Sequence, residues 1–80
     1  MREEELRRQL IALIEDIAPE ADLSSFPIDK NYQEHFGLDS MDLLTIVERI
    51  AEETSVEVPE TDYEKILTLE GLTAYVHARI

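Results

Sequence analysis

The residues of this chain whose types and spacing could do chemistry gather in one short run, Phe36-Gly37-Leu38-Asp39-Ser40-Met41-Asp42. A hydroxyl stands between two carboxylates, just after a glycine turn and at the head of an apolar-periodic stretch. Serine is among the best helix-capping residues, so the plain reading of Ser40 is a cap for backbone N–H groups. It does not read as a catalytic nucleophile, because the Gly-x-Ser-x-Gly strand-turn-helix setting is missing and its neighbours are carboxylates instead of a positioned base. A serine that is not a nucleophile can still be a substrate, exposed on a defined backbone for another enzyme to modify.

Other chemistry finds less support. With no cysteine the chain has no disulfide framework, no thiolate and no Cys-based zinc site, and a cytoplasmic address is expected. His35 and His77 lack zinc-motif spacing and no segment fits an EF-hand loop, so no metal site is expected. Gly37 and Gly71 are too isolated to build a phosphate-cradling loop, and Tyr63 and Tyr75 read as core-edge aromatics.

The elements that must position Ser40 are helices, since Gly and Pro are sparse and alternating β-branched patterns are nearly absent. Leu6, Leu10, Leu13 and Ile17 form one stripe of a first helix from about Arg2 to Ile17, which Pro19 ends. From Pro19 to Asp39 the sequence reads as a long loop pinned to the core by Leu23, Phe26, Ile28, Tyr32 and Phe36. A second helix from Ser40 to about Glu53 has two faces. Leu43, Ile46, Val47 and Ile50 make its core stripe, while Met41, Leu44 and Glu48 point elsewhere. A short third helix from about Glu60 to Lys65 follows, then Thr68 caps a last helix with Leu69, Leu72, Val76 and Ile80 on one stripe. The expected fold is all-α: a small four-helix bundle, three long helices and one short, in a single domain spanning residues 1–80.

Size and charge narrow the function further. Eighty residues with 7 Lys plus Arg against 19 Asp plus Glu give a net charge of -12. A domain of this size buries only about 60% of the surface its unfolded chain exposes, which leaves little room for a large active site. The charge is concentrated: between Asp39 and Glu64 there are nine acids against Arg49 alone. That field repels phosphate backbones and anionic lipid, so nucleic acid is not an expected partner. The longest apolar run, Leu10 to Ile14, is too short for membrane insertion. An acidic helix that also exposes Met41 and Leu44 suits a protein partner with a basic patch.

The run Gly37-Leu38-Asp39-Ser40-Met41-Asp42 closely resembles the Gly-x-Asp-Ser-Leu-(Asp/Glu) signature of acyl carrier proteins, and the order and spacing of the helices match that family over nearly the whole chain. The resemblance implies that Ser40 is the attachment point of 4′-phosphopantetheine, placed there from coenzyme A by a separate phosphopantetheinyl transferase. The terminal thiol would then carry acyl groups as thioesters, and the chain itself would be a noncatalytic monomer. Asp39 would be the family's flanking acid. Met41 and Leu44 would touch partner enzymes while Asp42, Glu48, Glu52 and Glu53 meet their Arg and Lys residues. Those partners would be acyl-loading, condensing and acyl-transfer enzymes of fatty-acid, specialised-lipid or polyketide synthesis.

Three positions depart from the family pattern. His35 stands where an acid is common, Thr45 where an acidic partner contact is common, and Glu48 where an apolar contact is frequent. These swaps favour a dedicated carrier over the general fatty-acid one. The Asp39-Ser40-Met41-Asp42 sequence ranks an acyl carrier above a peptidyl carrier and above a D-alanyl carrier. A second reading, from a different class, is a noncovalent acidic adaptor that keeps the carrier fold and has no use for Ser40.

Overall fold

The computed structural model describes residues 2–80, and its regular elements are all helices, with no strand among the described residues. Helix α1 spans Glu3–Ile17, α2 Tyr32–His35 and α3 Ser40–Thr54; a 3-10 helix, η1, spans Glu60–Ile66, and α4 spans Leu69–His77. Three acids, Glu3, Glu4 and Glu5, fill the first turn of α1, where the positive end of the helix dipole favours them. α1 lies against both α3 and α4, and η1 lies against α4. A Cα radius of gyration of 11.2 Å agrees with the value of about 11.6 Å expected for a folded chain of this length. No helix of the described residues is long and apolar enough to cross a membrane.

The core is built from the expected stripes with some changes of membership. Leu6, Leu10 and Leu13 of α1, Ile46, Val47 and Ile50 of α3, and Leu69, Leu72 and Val76 of α4 are all buried. Ile14 is fully buried, while Ile17, expected on the stripe, is only partly so and packs at the margin, as does Leu43. Ile80 is not a core residue: α4 ends at His77, and Ile80 lies beyond the last turn at 55% exposure. The short third helix is present but tighter than an α-helix, and it packs through Ile66 alone among its fully buried side chains.

The loop from Pro19 to Asp39 differs most from its expected form. It contains α2, a single turn capped by Asn31, whose side-chain oxygen accepts the Glu34 N–H at 2.8 Å. A helix this short is not stable by itself, so tertiary contacts must hold it. The anchor is Tyr32. Its ring is completely buried, its hydroxyl donates to the Ile66 carbonyl at 2.5 Å, and its N–H donates to the Leu67 carbonyl at 3.1 Å. Burial pushes the Tyr32 hydroxyl far above the usual phenol pKa, so it remains a neutral donor. The Glu70 N–H donates to the Ile28 carbonyl at 2.9 Å, and Asn31 pairs with Thr68 in an isolated antiparallel bridge. At its other end the loop is held by Glu15, whose carboxylate accepts the Leu23 N–H at 2.9 Å. Leu23 and Leu38 are buried and Phe26 and Phe36 pack against the core, but Ile28 is exposed, so its attachment is through backbone and not side chain.

The joint that receives the loop is itself tightly made. Thr68 caps α4 by accepting the Gly71 N–H at 2.9 Å. A Cβ at Gly71 would meet the Lys65 carbonyl oxygen at 2.5 Å, so close backbone approach demands glycine here. The Tyr75 hydroxyl donates to Asp62 at 2.6 Å, holding that carboxyl below its ordinary pKa, while the Arg79 guanidinium sits 3.5 Å over the Tyr75 ring. Truncating the anchor to Tyr32→Phe leaves the Ile66 carbonyl buried without its donor, and the expected cost is about 1–3 kcal/mol. Urea unfolding monitored by circular dichroism checks this; a change within experimental error would remove Tyr32 from its anchoring role.

Candidate functional site

Ser40 is the first residue of α3, not its cap. Asp39 is the N-cap: its carboxylate accepts the Asp42 N–H at 2.9 Å, and Asp42 in return accepts the Asp39 N–H at 3.3 Å. This reciprocal pair satisfies two donors that a helix start leaves open. It also releases Ser40 from the capping duty that its residue type suggests. The Ser40 side chain is exposed, and its hydroxyl has no hydrogen-bond partner among the described residues.

The backbone leading into Ser40 is fixed by a clasp around Gly37. The Leu38 N–H donates to the Gln33 carbonyl at 2.9 Å, and the Gln33 side-chain amide donates back to the Leu38 carbonyl. Gly37 closes the clasp with φ of 66°, a left-handed conformation that side chains with a Cβ resist, although a Cβ there would meet nothing within 4 Å. The two glycines thus serve different needs, Gly37 a backbone angle and Gly71 a lack of volume. Because Tyr32 and Leu38 are buried on either side of the clasp, the chain reaches Ser40 from a fixed point.

The side chains of α3 divide by angle. At about 100° per residue, Met41, Leu44, Thr45, Glu48 and Glu52 share one outward stripe. All five are exposed, Met41 at 66% and Leu44 at 40%. Asp42, Arg49 and Glu53 lie on a neighbouring stripe that turns towards α1. There Arg49 donates to Asp16 of α1 and to Glu53, both at 3.1 Å, and these contacts raise its pKa. The residues read from sequence as a docking set therefore fall into two groups. Met41, Leu44, Glu48 and Glu52 face outward together, whereas Asp42 is engaged in the capping pair and Glu53 in the Arg49 clamp.

Sequence reasoning missed two features of this region. The Arg49 clamp joins residues 33 apart in sequence, and no local pattern announces it. A surface groove of about 420 Å³ lined by Phe26, Lys30, Asn31, Glu34 and His35 lies beside the clasp. Two signals for it were present: Asn31 three residues before Glu34 is a helix-start spacing, and Lys30 is the lone Lys or Arg between Arg8 and Arg49. His35 is exposed at the end of α2, and its ring packs 4.9 Å from Phe26 and 4.7 Å from Phe36.

The site can present a hydroxyl. Ser40 is held at a helix start, where the first-turn N–H groups of Ser40 and Met41 have no intrahelical acceptor and can donate to an attached phosphate. An exposed hydroxyl without a competing partner, on a backbone fixed from both sides, fits the phosphodiester of a phosphopantetheine group. Comparison with known families agrees. The sequence matches the family model described as the phosphopantetheine attachment site over residues 8–76, which is most of the chain. The chain therefore belongs to this family, whose members carry covalently attached 4′-phosphopantetheine, in line with its resemblance to acyl carrier proteins. No solved structure was found to match it.

The cap makes a specific prediction. Asp39→Ala removes the acceptor for the Asp42 N–H and should cost about 0.5–2 kcal/mol, while Asp39→Asn keeps an acceptor and should cost much less. Thermal unfolding of both variants checks the ranking, and equal losses in the two would show that charge, not capping geometry, is what Asp39 contributes.

Proposed function

We propose that the chain is a noncatalytic acyl carrier of the cytoplasm, modified at Ser40 and read by its partners through the outward stripe of α3. The observation that carries this reading is the freedom of the Ser40 hydroxyl, secured by the Asp39–Asp42 capping pair on a backbone that the Gln33–Leu38 clasp holds in place. In the modification, Ser40 Oγ forms the new phosphoester bond and gives up its proton within the transferase, and adenosine 3′,5′-bisphosphate leaves from coenzyme A. When bound, the phosphopantetheine group supplies a thiol that holds acyl groups as thioesters on a flexible arm.

The docking surface suits a carrier that meets several enzymes in turn. Glu48 and Glu52 provide negative charge that steers a basic partner, and Met41 and Leu44 provide apolar area that is desolvated on contact. Asp42 and Glu53 flank this stripe and add to the field, although each already has a structural engagement. Steered encounters of this kind are fast and need not be tight. Glu48, in a place where the family often has an apolar contact, shifts the balance towards charge and supports a dedicated pathway, a specialised lipid or polyketide, over a general one. Asp39 before Ser40 supports an acyl over a peptidyl cargo.

Intact-mass spectrometry after incubation with coenzyme A and a broad-specificity phosphopantetheinyl transferase tests the reading. The wild type should gain one phosphopantetheine and Ser40→Ala none. A folded wild type that gains nothing with several transferases would favour the adaptor reading, in which the fold is kept and Ser40 is dispensable.

A further inference from the structure

We infer that the side chain of Gln33 is a positioning group for the modification of Ser40, acting through the Leu38–Asp39 peptide plane. The inference rests on Ser40 being the modified residue, as proposed above. A peptide unit is rigid and planar, so a carbonyl and the N–H that follows it turn together. The Leu38 carbonyl and the Asp39 N–H belong to one such unit, and a side chain holds each of its ends. The Gln33 amide donates to the carbonyl, and the N–H donates to the Asp42 carboxylate at 3.3 Å. It is the nitrogen of the Gln33 amide that faces Leu38, because its oxygen would meet another acceptor there.

The unit before it is held as well, by the Leu38 N–H donating to the Gln33 carbonyl at 2.9 Å. Gln33 therefore grips both planes that flank Leu38, one through its backbone and one through its side chain. Between the second plane and Ser40 lie only the φ of -87° and ψ of -178° of Asp39, whose carboxylate accepts the Asp42 N–H at 2.9 Å. The longer bond of the reciprocal cap thus sits on the unit that Gln33 holds by its carbonyl. Hydrogen bonds in a chain polarise one another, so a carbonyl that accepts from Gln33 makes the Asp39 N–H a better donor to Asp42. Without the Gln33 amide that plane is free to tilt, and the cap loosens at the residue to be presented.

The consequence falls on one step of the transfer. Gln33 belongs to α2 and not to the outward stripe of α3, so replacing it leaves the charge and apolar area of that stripe unchanged. The encounter with a basic partner is then preserved. What suffers is alignment, as Ser40 Oγ attacks the phosphorus of coenzyme A while the pyrophosphate bond breaks, a step sensitive to small misplacements.

Single-turnover transfer from coenzyme A with the transferase in excess separates the two. The maximal rate reads alignment, and the transferase concentration at half that rate reads the encounter. Gln33→Leu, which loses the donor, is expected to lower the maximal rate about fivefold, the worth of one ordinary hydrogen bond, and to shift the half-rate concentration by less than about twofold. Gln33→Lys keeps an N–H donor and is expected to recover most of the rate. In the unmodified proteins the Asp39 amide proton resonance should move upfield in Gln33→Leu and return in Gln33→Lys. Gln33→Glu, of the same shape but with no donor at neutral pH, reads the same loss if Gln33→Leu does not fold. An unchanged maximal rate, a loss carried by the half-rate concentration alone, or equal losses in Gln33→Leu and Gln33→Lys would overturn the role of Gln33. A wild type that accepts no phosphopantetheine would overturn the carrier reading instead.

Discussion

The fold depends on one buried phenol. Ordering a backbone costs about 1–2 kcal/mol per residue, and the segment between α1 and α3 contributes no long helix to repay it. Tyr32 concentrates the repayment. It buries a whole aromatic ring, and through its hydroxyl and its N–H it ties the segment to the η1–α4 joint, more than thirty residues away. The short helix α2, the Gln33–Leu38 clasp and the Gly37 turn all follow from that fixed point. So does the position of Ser40, which enters α3 from a loop that is held instead of free.

A second constraint is charge. With -12 on a small globule, acids must be exposed or engaged, and α3 does both on separate stripes. Arg49 gathers Asp16 and Glu53 where α1 and α3 meet, relieving repulsion at the seam between two acidic helices. Exposed ion pairs of this type are worth little individually, about 0–1 kcal/mol. Their greater effect is to sort the surface. The stripe of Met41, Leu44, Thr45, Glu48 and Glu52 has no basic residue, so it presents an unneutralised field with apolar area at its end nearest Ser40.

The long helices and the motif at Ser40 were legible in the sequence because their signals are local. Leu6, Leu10 and Leu13 repeat with helical period, Thr68 precedes its helix as a cap, and Asp39-Ser40-Met41-Asp42 carries its meaning within four residues. What was not legible depends on distant partners. A four-residue helix has no periodicity to detect, and α2 exists because Tyr32 finds Ile66. Glu53 reads as a docking acid, and nothing local shows that Arg49 also reaches it together with Asp16. Ile80 fits the stripe of α4, yet a pattern does not reveal that the helix stops at His77. The capping assignment was close: both Asp39 and Ser40 are good caps, and only the Asp39–Asp42 exchange shows which one serves.

The chain has four serines, and their surroundings differ in ways that single out one. The Ser24 hydroxyl is occupied by Asp22 at 2.7 Å, Ser25 lies in an exposed turn, and Ser55 ends α3 at φ of 62°, at the helix pole that repels phosphate. Ser40 alone combines a free hydroxyl with a helix start. Fragmentation mass spectrometry of the wild-type protein after transfer from coenzyme A tests that selection most directly. The account predicts every phosphopantetheine-bearing fragment to contain Ser40 and no other modified serine; a modified fragment mapping to Ser24, Ser25 or Ser55 would contradict it.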